Sequence, residues 1–330
     1  VSLLAFASDL SSMRALPGVV LPELNLDAVA GYFQQGFISA PHSIYKGVHQ
    51  LPPGHLITIR SSDNGCAPRL LGRSRAWWDL QHEAQEACRQ QSLRGSDPDV
   101  LATLEDTLRK VIVQQSISDV PLGAFLSGGV DSSLITALLQ TNSSKAVNSF
   151  TISFPDETVF NEAPFAAAVA AHLGTNHSEV ALTANNALDL IPNLPQLYSE
   201  PFGDSSQLPT HLVCREAQQS GLKVALSGDG GDELFGGYNR HRMMPMLINR
   251  LSWMPRVLRL EVARGVESVP LNRQGLALDK RQKLAEAIRA AGSLEEIYAA
   301  VTTIWIVKDM PLQQKYLPGA PSYAEQIMLA

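Results

Sequence analysis

Only three cysteines, Cys66, Cys88 and Cys214, occur in the 330 residues. An odd number without CxxC spacing argues against a disulfide framework or a zinc site and fits a reducing, cytoplasmic setting. No apolar run reaches the roughly 18 residues of a membrane-spanning helix. The first residues also lack the basic start, apolar core and cleavage pattern of a signal peptide, so a soluble protein with no membrane partner is expected. Basic charge is not in excess: 26 Lys+Arg against 32 Asp+Glu give a net charge of −6, which removes any global attraction to nucleic acid or anionic lipid. The lysine of a GxxxxGK[ST] loop is missing, which excludes a P-loop γ-phosphoryl site. An initiator Met is also missing, and the chain enters a strand-like run at Leu3–Ala7 directly from Val1, as a fragment would.

What is present suffices for about two domains with real cores, since 45% of residues are apolar. Residues 1–80 mix short strands with one helix, for which Asn25 is the N-cap of Leu26 to Gln35, and Leu56–Ile59 reads as a strand. Residues 81–97 turn polar and read as a linker. Asp97-Pro98 signals a helix start, followed by Leu101, Leu104, Leu108 and Val111 at helical spacing. Strand-like runs then alternate with helical ones from Gly123 to Leu226, which predicts an α/β fold with a doubly wound parallel sheet. After Tyr238 the pattern is helical, with Leu284, Ile288, Leu294 and Ile297 as core candidates. Cys214 reads as a small core residue within a helix. A basic stretch from Asn239 to Lys283, holding ten Lys/Arg against Glu261, Glu267 and Asp279, is the one feature a polyanion could use.

In such a sheet, ligands bind beyond the carboxyl ends of the strands. Two loops are expected there. Ser127-Gly128-Gly129-Val130-Asp131-Ser132-Ser133 lies between a strand and a helix, where paired glycines aim backbone N–H groups into one concavity and the helix adds its positive end. A phosphate fits that cradle, and Asp131 tolerates a phosphate if a divalent cation lies between them. The second loop, Ser227 to Tyr238, carries five glycines and three acids in twelve residues. If Asp131 and Asp232 meet across neighbouring strands, a Mg²⁺ removes a repulsion of roughly 4 kcal/mol.

The first loop resembles the SGGxDS pyrophosphate loop of the N-type ATP pyrophosphatases. Together, Leu126–Ser133 and Ser227–Tyr238 resemble glutamine-hydrolysing asparagine synthetase. Phe6–Leu10 and Leu51–His55 are similar to the closing strands of that family's glutaminase domain, Trp77-Trp78-Asp79 to the segment before its linker, and Ser149–Phe154 with Asn161-Glu162 to its adenine-holding strand and loop. The resemblance implies an adenine nucleotide alpha hydrolase-like fold over residues 98–330, preceded over 1–80 by the tail of an Ntn-type glutaminase (type 2 glutamine amidotransferase) domain. It implies ATP held by Leu126, Ser127, Gly128, Gly129, Asp131, Ser132, Ile152, Ser227 and Gly228, with Asp131 and Asp232 on Mg²⁺. Asp229 falls where the family has an acid linked to aspartyl transfer, and Glu200–Ser206 matches its segment beside the acceptor pocket, with Asp204-Ser205-Ser206 as aspartate-binding candidates. Aspartate and glutamine or ammonia are implied likewise, and a homodimer is left open. The family's amino-terminal cysteine nucleophile, glutamine-binding loops and downstream lysine have no counterpart in this sequence. Two alternatives keep their place: a related amidotransferase or β-lactam synthetase-like ligase with another acceptor, and a non-catalytic or nucleic-acid-binding protein using the basic stretch.

Overall fold

Alternating strand and helix patterns between residues 97 and 226 become a four-stranded parallel sheet in the computed structural model, which describes residues 4–60, 69–70, 74–90, 95–155, 161–269 and 276–304. Cys66, Arg273 and Met328–Ala330 lie outside the described residues. The chain divides into two compact units: residues 79–194 with 204–235 form one, and residues 1–78, 195–203 and 236–330 the other.

In the first unit, helix α1 (Asp97–Gln115) has Ser96 rather than Asp97 as its cap. Ser96 and Asp99 form a capping box, and Pro98 sits in the first turn where its missing N–H costs nothing. Strand β1 (Leu122–Phe125), helix α2 (Val130–Thr141), strand β2 (Asn148–Ser153), helix α3 (Ala163–Leu173) and strand β3 (Asn176–Ala181) follow, then helix α4 (Gln207–Gln219), strand β4 (Val224–Leu226) and the short helix α5 (Gly231–Phe235). The strand order is β3-β2-β1-β4, all parallel, with Ala124 paired to Ser149 on one side and to Leu226 on the other.

Side-chain alternation sorts the two faces of β2. Phe150 and Ile152 pack on Val213, Ala217 and Leu222, and fully burying a side chain such as Phe150 contributes about 1.5–3 kcal/mol. The opposite face carries Ser149, Thr151 and Ser153, each nearly sealed from water. Helix α3 meets the sheet through Ala163, Ala166 and Ala170, and residues this small bring its backbone close. A further cluster of Ile112, Ala124, Leu138, Leu139 and Val147 joins α1, β1 and α2. Of the stripe expected on α1, Leu101 and Val111 are exposed and Leu108 is only partly buried, because Ile112 is the residue of that helix the sheet covers.

In the other unit, Asn25 caps the helix Leu26–Gln35 as the sequence indicates, its Oδ1 accepting from Asp27 and Ala28 N–H. The strand expected over 56–59 is split: His55–Leu56 pairs antiparallel with Arg75–Ala76, and Ile59–Arg60 with Arg69–Leu70. Residues 4–7 form no strand, and a helix starts at Leu10 behind the cap Asp9. Part of the 81–97 stretch read as a linker forms an exposed helix, Leu80–Arg89, which belongs to the sheet unit. Helices Asn239–Leu251, Arg256–Ser268, Leu276–Arg289 and Leu294–Thr302 enclose Met244, Ala263, Ala287, Ile288, Ala291 and Ile297. Leu284 and Leu294, expected in this core, are exposed. The basic stretch is not one solvated face: Arg259 is buried beside Gly292, and Arg264 pairs with Glu261. No helix among the described residues is long and apolar enough to cross a membrane.

Candidate active site

The chain visits β1, β2 and β3 in one direction across the sheet, then returns to place β4 on the far side of β1. That reversal opens a crevice beyond the carboxyl ends of β1 and β4. Ser127–Ser133 leaves β1 into α2, and Ser227–Asp232 leaves β4 into α5, so both glycine loops meet at this point.

The first loop is held by its own serines. Ser132 Oγ lies 2.8 Å from Ser127 Oγ and accepts from the Ser127 N–H at 3.2 Å. The Gly129 N–H donates to Ser127 Oγ at 3.3 Å. Gly128 adopts φ +81°, and a methyl there would lie 2.6 Å from Ala166 N. Helix α2 begins at Val130, so its free N–H groups face the loop.

The two loops touch. A methyl on Gly228 would sit 2.7 Å from Ser132 N, and one on Gly231 would sit 2.6 Å from Asp131 Cγ. The Asp131 carboxyl therefore rests in space that the second loop leaves by having no side chain. Asp131 and Asp232 are both half-buried, and neither carboxylate makes a hydrogen bond or ion pair among the described residues. No group of three or more His, Cys, Asp or Glu gathers as a metal cage among them. Two free carboxylates beside a phosphate cradle suit Mg²⁺, which takes one or two carboxylates and completes its shell with phosphate and water.

Asp229 is exposed and its Oδ2 accepts from Ser227 Oγ at 2.9 Å. Leu126 is sealed against Ala166 and Ala170, and Ile152 packs toward α4, so what either offers to a nucleotide is main chain. Asp204 Oδ1 accepts from the Ser206 N–H at 2.8 Å before α4. Ser153 and Ser133 carry buried hydroxyl oxygens without a hydrogen-bond partner. Ser133 closes the first loop, where the sequence already offers its hydroxyl to a phosphate alongside Ser127 and Ser132, whereas Ser153 at the end of β2 has no such signal.

Cys214, expected in the core, is instead exposed on α4 and borders an open cavity of about 570 Å³ with His211, Arg215 and Lys223. Partial burial pushes its thiol up, which disfavours the thiolate a nucleophile needs. His211 is held below its ordinary pKa by burial and by the Arg215 charge. His177 Nδ1 lies 2.9 Å from Ser149 Oγ. Burial lowers its pKa against an opposing pull from Glu179.

Sheet order, switch point and paired loops define a doubly wound α/β domain. Residues 103–328 match the family described as asparagine synthase, and residues 2–69 match that described as glutamine amidotransferase domain. The chain belongs to the asparagine synthase family. It is 32% identical over 239 residues to a putative glutamine-hydrolysing asparagine synthetase 2 of Methanocaldococcus jannaschii, covering 72% of this chain and 43% of that protein. It is 28% identical over 311 residues to a putative glutamine-hydrolysing asparagine synthetase of Mycobacterium tuberculosis, covering 92% and 44%. Glutamine-hydrolysing asparagine synthetase 1 of Bacillus subtilis is 25% identical over 322 residues, covering 98% and 44%. The chain thus spans less than half the length of these relatives.

Proposed function

We propose that this chain carries the ATP-dependent step of amide synthesis, activating aspartate as a β-aspartyl adenylate that ammonia derived from glutamine converts to asparagine. The observation that carries this reading is the seating of the Asp131 carboxyl against Gly231, which gives two loops one shared crevice. In it, the N–H groups of Gly128, Gly129 and the first turn of α2, with the hydroxyls of Ser127 and Ser132, bind the pyrophosphate portion of ATP. Main chain of Leu126, Ile152, Ser227 and Gly228 lines the nucleotide. Asp131 and Asp232 would hold Mg²⁺, which would supply positive charge to offset that on the pyrophosphate.

The acceptor carboxylate oxygen attacks the α-phosphorus, the bond to the β-phosphate oxygen breaks, and pyrophosphate leaves. Ammonia then adds to the acyl carbon, and the bond to AMP breaks. The added nitrogen must lose a proton, and Asp229 is the carboxylate this reading assigns to take it. For that, Asp229 has to turn from Ser227 toward the reacting carbon. Asp204-Ser205-Ser206 supplies polar groups for the acceptor. In this reading residues 1–80 belong to the domain that delivers nitrogen and residues 98–330 to the domain that activates the acceptor, in a cytoplasmic protein.

The experiment is pyrophosphate release from Mg·ATP with L-aspartate and ammonium chloride. Release that requires L-aspartate is expected, and Asp131→Asn should reduce it by at least about a hundredfold, as loss of a charge-stabilising group does. Release with other carboxylates but not with L-aspartate would reassign the acceptor.

A further inference from the structure

The cavity beside Cys214 lies wholly within the sheet unit, between α4, the turn that follows it and strands β1 and β4. His211, Cys214, Arg215 and Gln218 recur along α4 at helical spacing and so share one face of it. Ala217 and Leu222 give the cavity an apolar lining that is buried in one cluster with Phe150, and Phe125 packs against the same cluster. Lys223 and Val224 continue the lining along β4. Their N–H groups both donate to the Pro121 carbonyl, at 3.1 and 3.4 Å, which fixes the backbone that carries them. No residue of Ser127–Ser133 or Ser227–Asp232 lines this cavity, so it is separate from the crevice.

Charge and polarity divide the lining. Arg215 and Lys223 are exposed and pair with no acid among the described residues, and no Asp or Glu lines the cavity. Two cations without a counter-ion beside an apolar surface favour an anion that brings an apolar part of its own. The volume of about 570 Å³ lies within the roughly 300–1,000 Å³ of small-molecule sites. A doubly charged phosphate suits the place poorly, because Arg215 and Gln218 belong to the last turns of α4, where the helix dipole is negative, and no first turn of a helix contributes to the lining. A singly charged carboxylate escapes most of that penalty and meets a guanidinium with two parallel N–H···O bonds. His211, whose pKa burial and the Arg215 charge hold down, adds a hydrogen-bonding group without adding charge. Phe125 offers a ring against which a flat body packs.

We propose that this cavity binds a small carboxylate with a flat apolar body, its charge on Arg215 and Lys223 and its body against Phe125, Ala217 and Leu222. The site is independent of the amide-forming reaction proposed above, and neither assignment falls with the other.

Cys214 borders the cavity and serves as its reporter. In the full-length protein, with benzoate as the probe, alkylation of Cys214 by iodoacetamide is followed by mass spectrometry of the peptide that contains it. Saturating benzoate is expected to slow this alkylation at least about fivefold. Cys88, exposed on the helix Leu80–Arg89, should react at an unchanged rate. Benzyl alcohol, which lacks the charge, should need at least about a tenfold higher concentration for the same protection. Arg215→Ala combined with Lys223→Ala should raise the half-protecting benzoate concentration at least about tenfold, and the denaturation midpoint should hold because both side chains are exposed. Equal protection by benzyl alcohol, unchanged protection in the double variant, or stronger protection by phenyl phosphate than by benzoate overturns the assignment. A Cys214 that does not react at all without ligand overturns it too, since other parts of the full chain would then fill the cavity.

Discussion

Glycine is used differently in the two loops of the crevice. In the loop after β1, Gly128 combines a left-handed φ of +81° with backbone of α3 so close that a methyl would lie 2.6 Å from Ala166 N. In the loop after β4, Gly228 and Gly231 have no such φ among the described residues, and what they leave free is occupied by Ser132 N and the Asp131 carboxyl. The first glycine serves layer packing; the second pair serves the meeting of the loops. Stability and ligand binding should therefore separate under substitution.

The largest effect is expected at Gly128. Gly128→Ala adds a left-handed cost of roughly 1–2 kcal/mol to an overpacking cost of about 1–3 kcal/mol, so chemical denaturation should show several kcal/mol lost. Asp229→Asn should leave pyrophosphate release nearly intact and depress asparagine formation by about a hundredfold. A parallel fall of both products would mean that Asp229 only closes the loop through Ser227. Gly231→Ala should leave the denaturation midpoint nearly unchanged and weaken Mg·ATP binding at least about tenfold in a titration, because the Asp131 carboxyl must move from the place in which it would hold Mg²⁺. Gly129→Ala is the internal control: φ is −69° and the nearest atom is the rotatable Ser127 Oγ at 3.3 Å, so stability should change by less than about 0.5 kcal/mol.

A smaller, pH-dependent effect belongs to neither loop. Burial holds His177 below its ordinary value of 6.5 in the folded state, so the unfolded chain binds the proton more readily. The neutral imidazole's contribution is fully present above pH 6.5 and is lost as pH falls toward the depressed folded value. Melting temperatures between pH 7.5 and 5.5 should drop less steeply in His177→Gln than in wild type. An identical slope would assign the acid sensitivity to other groups, His211 among them.

Much of the fold was legible from local pattern. The Ala163–Leu173 helix, the Asn25 cap and the loop-bearing ends of β1 and β4 all follow from spacing, capping residues and glycine, which act over a few residues. What spacing could not give was which apolar stripe finds a partner. Leu101, Leu284 and Leu294 have the right period and yet face water, while Arg259 is covered. The same limit hid the contacts of Glu200, whose carboxylate accepts from Ser43, Ile44 and Gln50, 150 or more residues away in the chain. At the crevice, residue types and strand connectivity sufficed to bring two loops together. The vacant side-chain position that receives Asp131 is a property of the packed structure, although the glycines that create it are plain in the sequence.

The interleaving of the two units has a consequence for how the protein is made. Multidomain chains commonly fold from the amino terminus as they emerge from the ribosome. Here the sheet unit has its last residue at Phe235, whereas residues 1–78 share a unit with residues 236 onward. The Gln34 carbonyl, for example, accepts from the Ile304 N–H at 2.7 Å. At ordinary elongation rates residues 1–78 wait on the order of tens of seconds for these partners. During that interval the later-encoded sheet can fold first, and residues 1–78 are enclosed only after it.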